Sequence, residues 1–194
     1  DNLPIGAKIG TSSLRRKSQL LYLRSDLEVM ALRGNIDTRM RKLKEIDLDA
    51  IVLAAAGVKR LFGNDPVTQF FEVDEIVPAV GQGALGIEIR ENDDQTGTFL
   101  KKIRCQRSEI EVKTERVVLR ELGGGCQVPI GINAQLKGDK LSVIGLVSSL
   151  DGRKRILKKI ANDSTDPIEI GLLLAEELVK GGASEILQVQ FGIQ

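Results

Sequence analysis

Apolar positions in the first third of the chain switch repeatedly between short runs and helical spacings. Residues 7–10 are a short apolar stretch. Ser12 or Ser13 can cap a helix reaching about Arg24, with Leu14, Leu20, Leu21 and Leu23 supplying much of its apolar face. Residues 28–32 read as a strand. Residues 36–46 read as a helix, with Ile36, Met40 and Leu43 at spacings of four and three. Residues 50–55 form a continuous apolar run, the pattern of a strand buried on both faces. Residues 57–62 read as a short helix. This βαβαβα order predicts a parallel sheet covered by helices.

The second half has a different rhythm. Residues 63–77 are a looser connection, and 78–86 are a Pro/Gly hinge leading into an apolar strand at 85–90. A helical pattern covers 98–122, broken near 105–108. Three strand-like stretches follow, at 132–136, 140–148 and 153–161. Gly138-Asp139 and Asp151-Gly152 are the turns between them. A helix is predicted over 167–180, with Pro167 in its first turn and Gly181-Gly182 after its end. The C-terminal half therefore reads as α+β with an antiparallel sheet.

Composition narrows the chemistry. The chain has 194 residues, 42% hydrophobic and 28% charged, as in ordinary globular proteins. No apolar run is long enough to span a membrane, and no signal peptide opens the chain. Two cysteines make no disulfide framework, which points to a reducing, cytoplasmic setting. The first residue is Asp1 rather than Met, as in a processed product or a fragment. There is no histidine, so Cys-His and Ser-His catalysis are excluded and a zinc site is disfavoured.

Net charge is +1 but unevenly spread. Residues 8–60 hold 12 basic and 6 acidic side chains, whereas 61–104 hold 4 and 8. The first third thus attracts anions. Aromatic residues are only 3%, too few for a single-stranded nucleic-acid platform. In an open parallel sheet, ligands bind beyond the carboxyl ends of the strands. Here those ends carry Thr11-Ser12-Ser13-Leu14-Arg15-Arg16, Arg33-Gly34-Asn35 with Arg39, and 54–60 ending in Lys59-Arg60. Five arginines (Arg15, Arg16, Arg33, Arg39 and Arg60) can converge on one edge. Planar, bidentate guanidinium groups suit a ligand with several carboxylates or phosphates. Neither phosphate-loop pattern is present, and Val80-Gly81-Gln82-Gly83 reads as a hinge.

The other candidate is Leu122-Gly123-Gly124-Gly125-Cys126-Gln127-Val128-Pro129. Three consecutive glycines are entropically costly to order. They presage a helix stop and a loop that presents Cys126. Without an imidazole base, a presented thiol serves best as an attachment point; the bland alternative is an inert buried cysteine.

Five stretches, taken together, resemble one family: IGTSSLRRKSQL (9–20), LRGNIDTR (32–39), AIVLAAAGVKRL (50–61), VPAVGQGALGIEIR (77–90) and ELGGGCQVPIG (121–131). They are similar to hydroxymethylbilane synthase, the porphobilinogen deaminase family, in its order and spacing over nearly the whole chain. The resemblance implies an α/β periplasmic-binding-protein-like domain at 1–77 (domain 2) and a returning segment of an incomplete domain 1 at 78–104. It implies a small α+β domain 3 at 105–194, which carries the cysteine. It implies stepwise condensation of four porphobilinogen molecules, with loss of ammonia, on a dipyrromethane cofactor. The cofactor would be thioether-linked to Cys126. Arg15, Arg16, Arg33, Arg39 and Arg60 would hold pyrrole carboxylates. Thr11, Ser12, Ser13, Gly34, Ala54 and Gln82 would line the same cleft. Metal, nucleic acid and membrane have no part in this reading, and the intact enzyme is expected to be a monomer.

The family's catalytic aspartate lies in a Lys-Asp-Val-Pro motif that this sequence lacks. No catalytic residue is therefore assigned here. Asp37 and Asp49 read as helix-surface and strand-flanking groups. The chain alone is expected to be inactive, and the 85–90 strand, lacking the sheet it would join, is left disordered, covered by another chain, or paired with a partner carrying the missing N-terminal segment. The main rival is a non-catalytic polycarboxylate-binding module of periplasmic-binding type. A Cys105/Cys126 redox sensor and a nucleic-acid binder are weaker rivals.

Overall fold

In the computed structural model, which describes residues 2–123, 128–163 and 165–192, three short strands form a parallel sheet. They are β1 (Lys8–Gly10), β2 (Glu28–Met30) and β3 (Ala50–Ile51), in the order β2–β1–β3. Ile9 faces Val29 on one side and Ala50 on the other. Helix α1 (Leu14–Leu23) follows β1, α2 (Ile36–Glu45) follows β2 and α3 (Ala55–Phe62) follows β3. Ala7, Ile9, Leu20 and Leu27 form the small core of this unit. The predicted βαβαβα order is observed, with a correction at β3. Only Ala50 and Ile51 join the ladder and both are half-buried, so the apolar run is not a strand covered on both faces.

Between α3 and α4 (Asp94–Lys101) the chain has neither strand nor helix. The strand predicted over 85–90 does not form. Leu85 is 76% exposed and Ile87 59%, and no neighbouring strand offers them a ladder. Alternating apolar residues make a strand only when a second backbone supplies hydrogen bonds.

Helix α5 (Gln106–Glu121) opens the second unit. It packs with α6 (Pro167–Lys180) and α7 (Ala183–Phe191) around an antiparallel sheet of β4 (Ile130–Lys137), β5 (Lys140–Ser148) and β6 (Arg155–Asn162). Val118, Ile132, Leu141, Ile170, Leu174 and Leu178 are among the fully enclosed side chains. Asp166 caps α6 by accepting from the Ile168 and Glu169 amides. Sequence patterning does not anticipate α7. Gly182, at φ +97°, reverses the chain, and Ala183, Ile186 and Leu187 then bury one helical face.

Two further features tie these elements together. The outward amides of edge strand β4 are all accepted: Ile132 by the Pro78 carbonyl (3.0 Å), Ala134 by Glu115 (2.8 Å) and Leu136 by Glu111 (2.9 Å). An edge satisfied this way offers no template to another strand. The β5–β6 turn meanwhile lies against α1. Gly152, at φ +73°, sits so close that an added Cβ would come within 2.6 Å of the Ser18 carbonyl and the Tyr22 amide. The Arg155 guanidinium stacks 4.4 Å from the Tyr22 ring centroid.

Candidate functional site

The carboxyl ends of β1, β2 and β3 lie side by side because β1 is central in the sheet. Beyond β1, the buried Thr11 ties down the turn. Its amide donates to the Met30 carbonyl (2.9 Å), and its hydroxyl accepts from the Ser13 amide (3.2 Å). Ser13 is the N-cap of α1 and accepts from the Arg16 amide at 3.4 Å, while Ser12 is exposed. The first turn of α1 holds no acidic residue but contains Arg15 and Arg16. Cations there oppose the helix dipole, and the free amides favour an anion.

Arg15 is nearly enclosed, 7% exposed. It donates to the Val77 carbonyl (2.7 Å) and to Gln82 Oε1 (3.0 Å). Arg16 donates to the Val52 carbonyl at 2.8 Å, just past β3. Burial, and then the neighbouring Arg16, push the Arg15 pKa down to about 10. Burial and Arg39 lower that of Arg16. The Val77, Gln82 and Val52 acceptors are all neutral. Among the described residues no carboxylate pairs with Arg15, Arg16 or Arg39. Mutually repelling, partly desolvated cations of this kind are stabilised by an external anion.

Gly34, beyond β2, takes φ +127° and its carbonyl accepts from Arg39 Nε at 2.7 Å. Asn35 caps α2 by accepting from the Thr38 amide. Ala54 is the N-cap of α3 and offers no side-chain cap. Arg33 is exposed. Arg60, in the last turn of α3, donates to the Gly83 carbonyl at 3.4 Å. The structure thus gathers Thr11, Ser13, Arg15, Arg16, Gly34, Arg39, Ala54 and Gln82 along one edge. Arg60 leans toward the 81–83 segment. Asp49 accepts from the Lys8 amide and Asp37 lies in the first turn of α2, so both are accounted for locally. Clefts of about 280 and 420 Å³ lie elsewhere, the first beside Asp74 and Lys159 and the second beside Ser149 and Glu185.

Sequence reasoning misses Gln19, Val77 and Glu115. The apolar face assigned to α1 is also only part of what it buries, since Arg15, Ser18, Gln19 and Leu20 are the enclosed residues and Leu23 is 45% exposed. The available signal is the i, i+3, i+4 spacing of Arg15, Ser18 and Gln19, a polar stripe at helical period. Gln19 accepts from the Val77 amide (2.7 Å) and donates to the Val77 carbonyl (3.0 Å). Glu115 accepts from the Gly81 amide (2.6 Å) as well as from Ala134. Burial raises its pKa.

Cys126 lies outside the described residues. Cys105 is exposed at the N-cap of α5 and its Sγ accepts from the Ser108 hydroxyl at 3.3 Å, which lowers its pKa. Among the described residues no cluster of His, Cys, Asp or Glu could hold a metal ion. None of their helices is long and apolar enough to cross a membrane.

Residues 1–98 match the family model described as porphobilinogen deaminase, dipyromethane cofactor binding domain. Residues 109–180 match the porphobilinogen deaminase C-terminal domain. The chain is 47% identical to the porphobilinogen deaminase of Geobacter sulfurreducens over 96% of its own length and 58% of that protein's. It is also 47% identical to that of Pelotomaculum thermopropionicum, over 97% of this chain and 60% of the relative. With the Syntrophotalea carbinolica enzyme the figures are 45%, 95% and 59%. The chain therefore spans about three fifths of the length of the curated relatives it matches.

Proposed function

The chain belongs to the porphobilinogen deaminase family, and from that premise we propose that it is the cofactor-carrying part of a hydroxymethylbilane synthase. The whole enzyme would condense four porphobilinogen molecules, with loss of ammonia, into hydroxymethylbilane in tetrapyrrole synthesis. Residues 1–77 would be a periplasmic-binding-protein-like domain, 78–104 the returning part of a first domain and 105–194 the domain that carries the cysteine. The dipyrromethane cofactor would be bound to Cys126 through a thioether and would supply the end on which the pyrrole chain grows.

One observation carries the binding role. Arg15, Arg16 and Arg39 repel one another at the strand ends with no carboxylate among the described residues to neutralise them. Each pyrrole bears an acetate and a propionate, and a dipyrromethane presents four carboxylates. The residues present fit such a group. Arg15, Arg16 and Arg39, with Arg33 and Arg60 at the periphery, would take the carboxylates. Thr11, Ser12, Ser13, Gly34, Ala54 and Gln82 would line the cleft. The edge serves as an electrostatic seat that keeps a tethered polyanion in place. The exposed 85–90 strip would pair with the part of the longer relatives that this chain does not span. The Lys-Asp-Val-Pro motif is absent from this sequence, so the chain alone is predicted not to form product.

Calorimetric titration with butane-1,2,3,4-tetracarboxylate tests the seat. Arg16→Ala should bind about tenfold more weakly, the scale of one charge-assisted hydrogen bond. Affinity should also fall as salt screens the edge. Equal affinity in wild type and Arg16→Ala would remove the edge from the reading.

A further inference from the structure

We propose that Gln19 is a positioning residue for Arg15, holding the Val77 backbone as the fixed rail on which the guanidinium is set. The inference rests on the carboxylate-binding reading of the edge. Gln19 lies one helical turn beyond Arg15 and is 2% exposed. Its amide makes three hydrogen bonds, all to two pieces of main chain. Oε1 accepts from the Val77 amide at 2.7 Å, and Nε2 donates to the Val77 carbonyl at 3.0 Å and to the Arg15 carbonyl at 3.1 Å. Val77 is 58 residues away in sequence and wholly buried. Its carbonyl is also the 2.7 Å acceptor of Arg15 Nη1. One oxygen therefore receives both side chains, and Gln19 closes a ring through the Arg15 and Val77 backbones.

The rail is held from its far side too. An added Cβ at Gly131 would come within 2.8 Å of the Val77 carbonyl, so β4 presses directly on it. The next carbonyl, Pro78, accepts from Ile132. Gly81 is tied to Glu115, and the adjacent Gln82 is the second acceptor of Arg15. Val77 thus has no freedom to follow Arg15, so Arg15 follows Val77. A bare apolar side chain at position 19 would leave the Val77 amide without its acceptor and release the segment. Such a buried unpaired amide is costly, which explains why a carboxamide rather than a leucine fills this helical position.

The test uses side-chain and backbone NMR of the full labelled chain, with the Arg15 guanidinium signals assigned by their loss in Arg15→Lys. In wild type these signals should be resolved and slow to exchange. In Gln19→Met they should collapse onto those of exposed arginines. The Val77 amide should exchange about tenfold faster, as for one lost hydrogen bond, while Val143 and Leu146 in β5 keep their protection. Gln19→Glu, which keeps the acceptor for the Val77 amide, should preserve both Val77 protection and the resolved Arg15 signals. It serves as the second variant if Gln19→Met unfolds: Arg15 signals lost while Val77 stays protected would show that the rail does not set Arg15. Unchanged Arg15 signals in folded Gln19→Met likewise overturn the proposal. Adding butane-1,2,3,4-tetracarboxylate separates the two ideas. Arg15 signals that depend on Gln19 but ignore the anion sustain the positioning role and sink the carboxylate seat.

Discussion

Glu115 is a carboxylate the fold encloses in order to use both of its oxygens. One accepts from the Gly81 amide and the other from Ala134, so a single side chain ties the 78–82 segment to the edge of β4. Burial raises its pKa from the ordinary 4.5, with Glu111 adding to the rise. The folded state therefore holds the proton more tightly than the unfolded state does. Stability from this group is greatest below the unfolded value and is lost as pH rises through the raised folded value. Glu115→Gln cannot titrate. Urea midpoints of the two proteins at pH 4.5 and 7 should show wild type losing ground to the variant at the higher pH. A constant difference between them would contradict the assignment. Glu115→Ala should cost about 1–3 kcal/mol at either pH, because it orphans buried amides.

Single residues also show why part of the site was legible and part was not. Arg15 and Arg16 stand out in sequence because two cations in a first helical turn violate the dipole preference. Gln19 does not stand out, since a lone glutamine on a helix usually faces solvent. Only the distant Val77, delivered by the whole fold, gives its amide a purpose. Glu115 hides in the same way within the charged stretch 107–121.

Elements repeat this division. Helix α6 matches its predicted bounds because Pro167, the Asp166 cap and Gly181 mark both ends locally. The antiparallel hairpins are likewise marked by Gly138 and Gly152. The 85–90 strip fails as a strand because its alternation is local while its hydrogen-bond partner is not. Helix α7 is missed because two glycines read as a stop, and only packing of Ala183 and Leu187 restarts the helix. At this scale the β5–β6 turn is the informative contact. Gly152 combines a left-handed φ with backbone atoms of α1 at 2.6 Å from where a Cβ would stand. Gly152→Ala should destabilise by about 2 kcal/mol or more, through strain and displacement of the turn from α1. A thermal midpoint equal to wild type would show that the turn moves off α1 at no cost.

At the scale of the molecule, the α/β unit and the antiparallel unit share one seam. Val77 and Pro78 touch α1 on one side and β4 on the other, and Arg155 stacks on Tyr22 beyond them. The seam links the arginine edge to the unit whose α5 leads into the Gly-Gly-Gly-Cys stretch. That arrangement suits a polyanion anchored to one unit and seated on the other. The most direct measurement is the intact mass of the purified chain and of Cys126→Ser after incubation with preformed hydroxymethylbilane, with the part of its relatives' length that this chain does not span supplied in trans. A two-pyrrole mass increase on the wild-type chain, absent from Cys126→Ser, is the predicted result. An unmodified wild-type chain, or an adduct that survives in Cys126→Ser, would contradict the tethered-cofactor role.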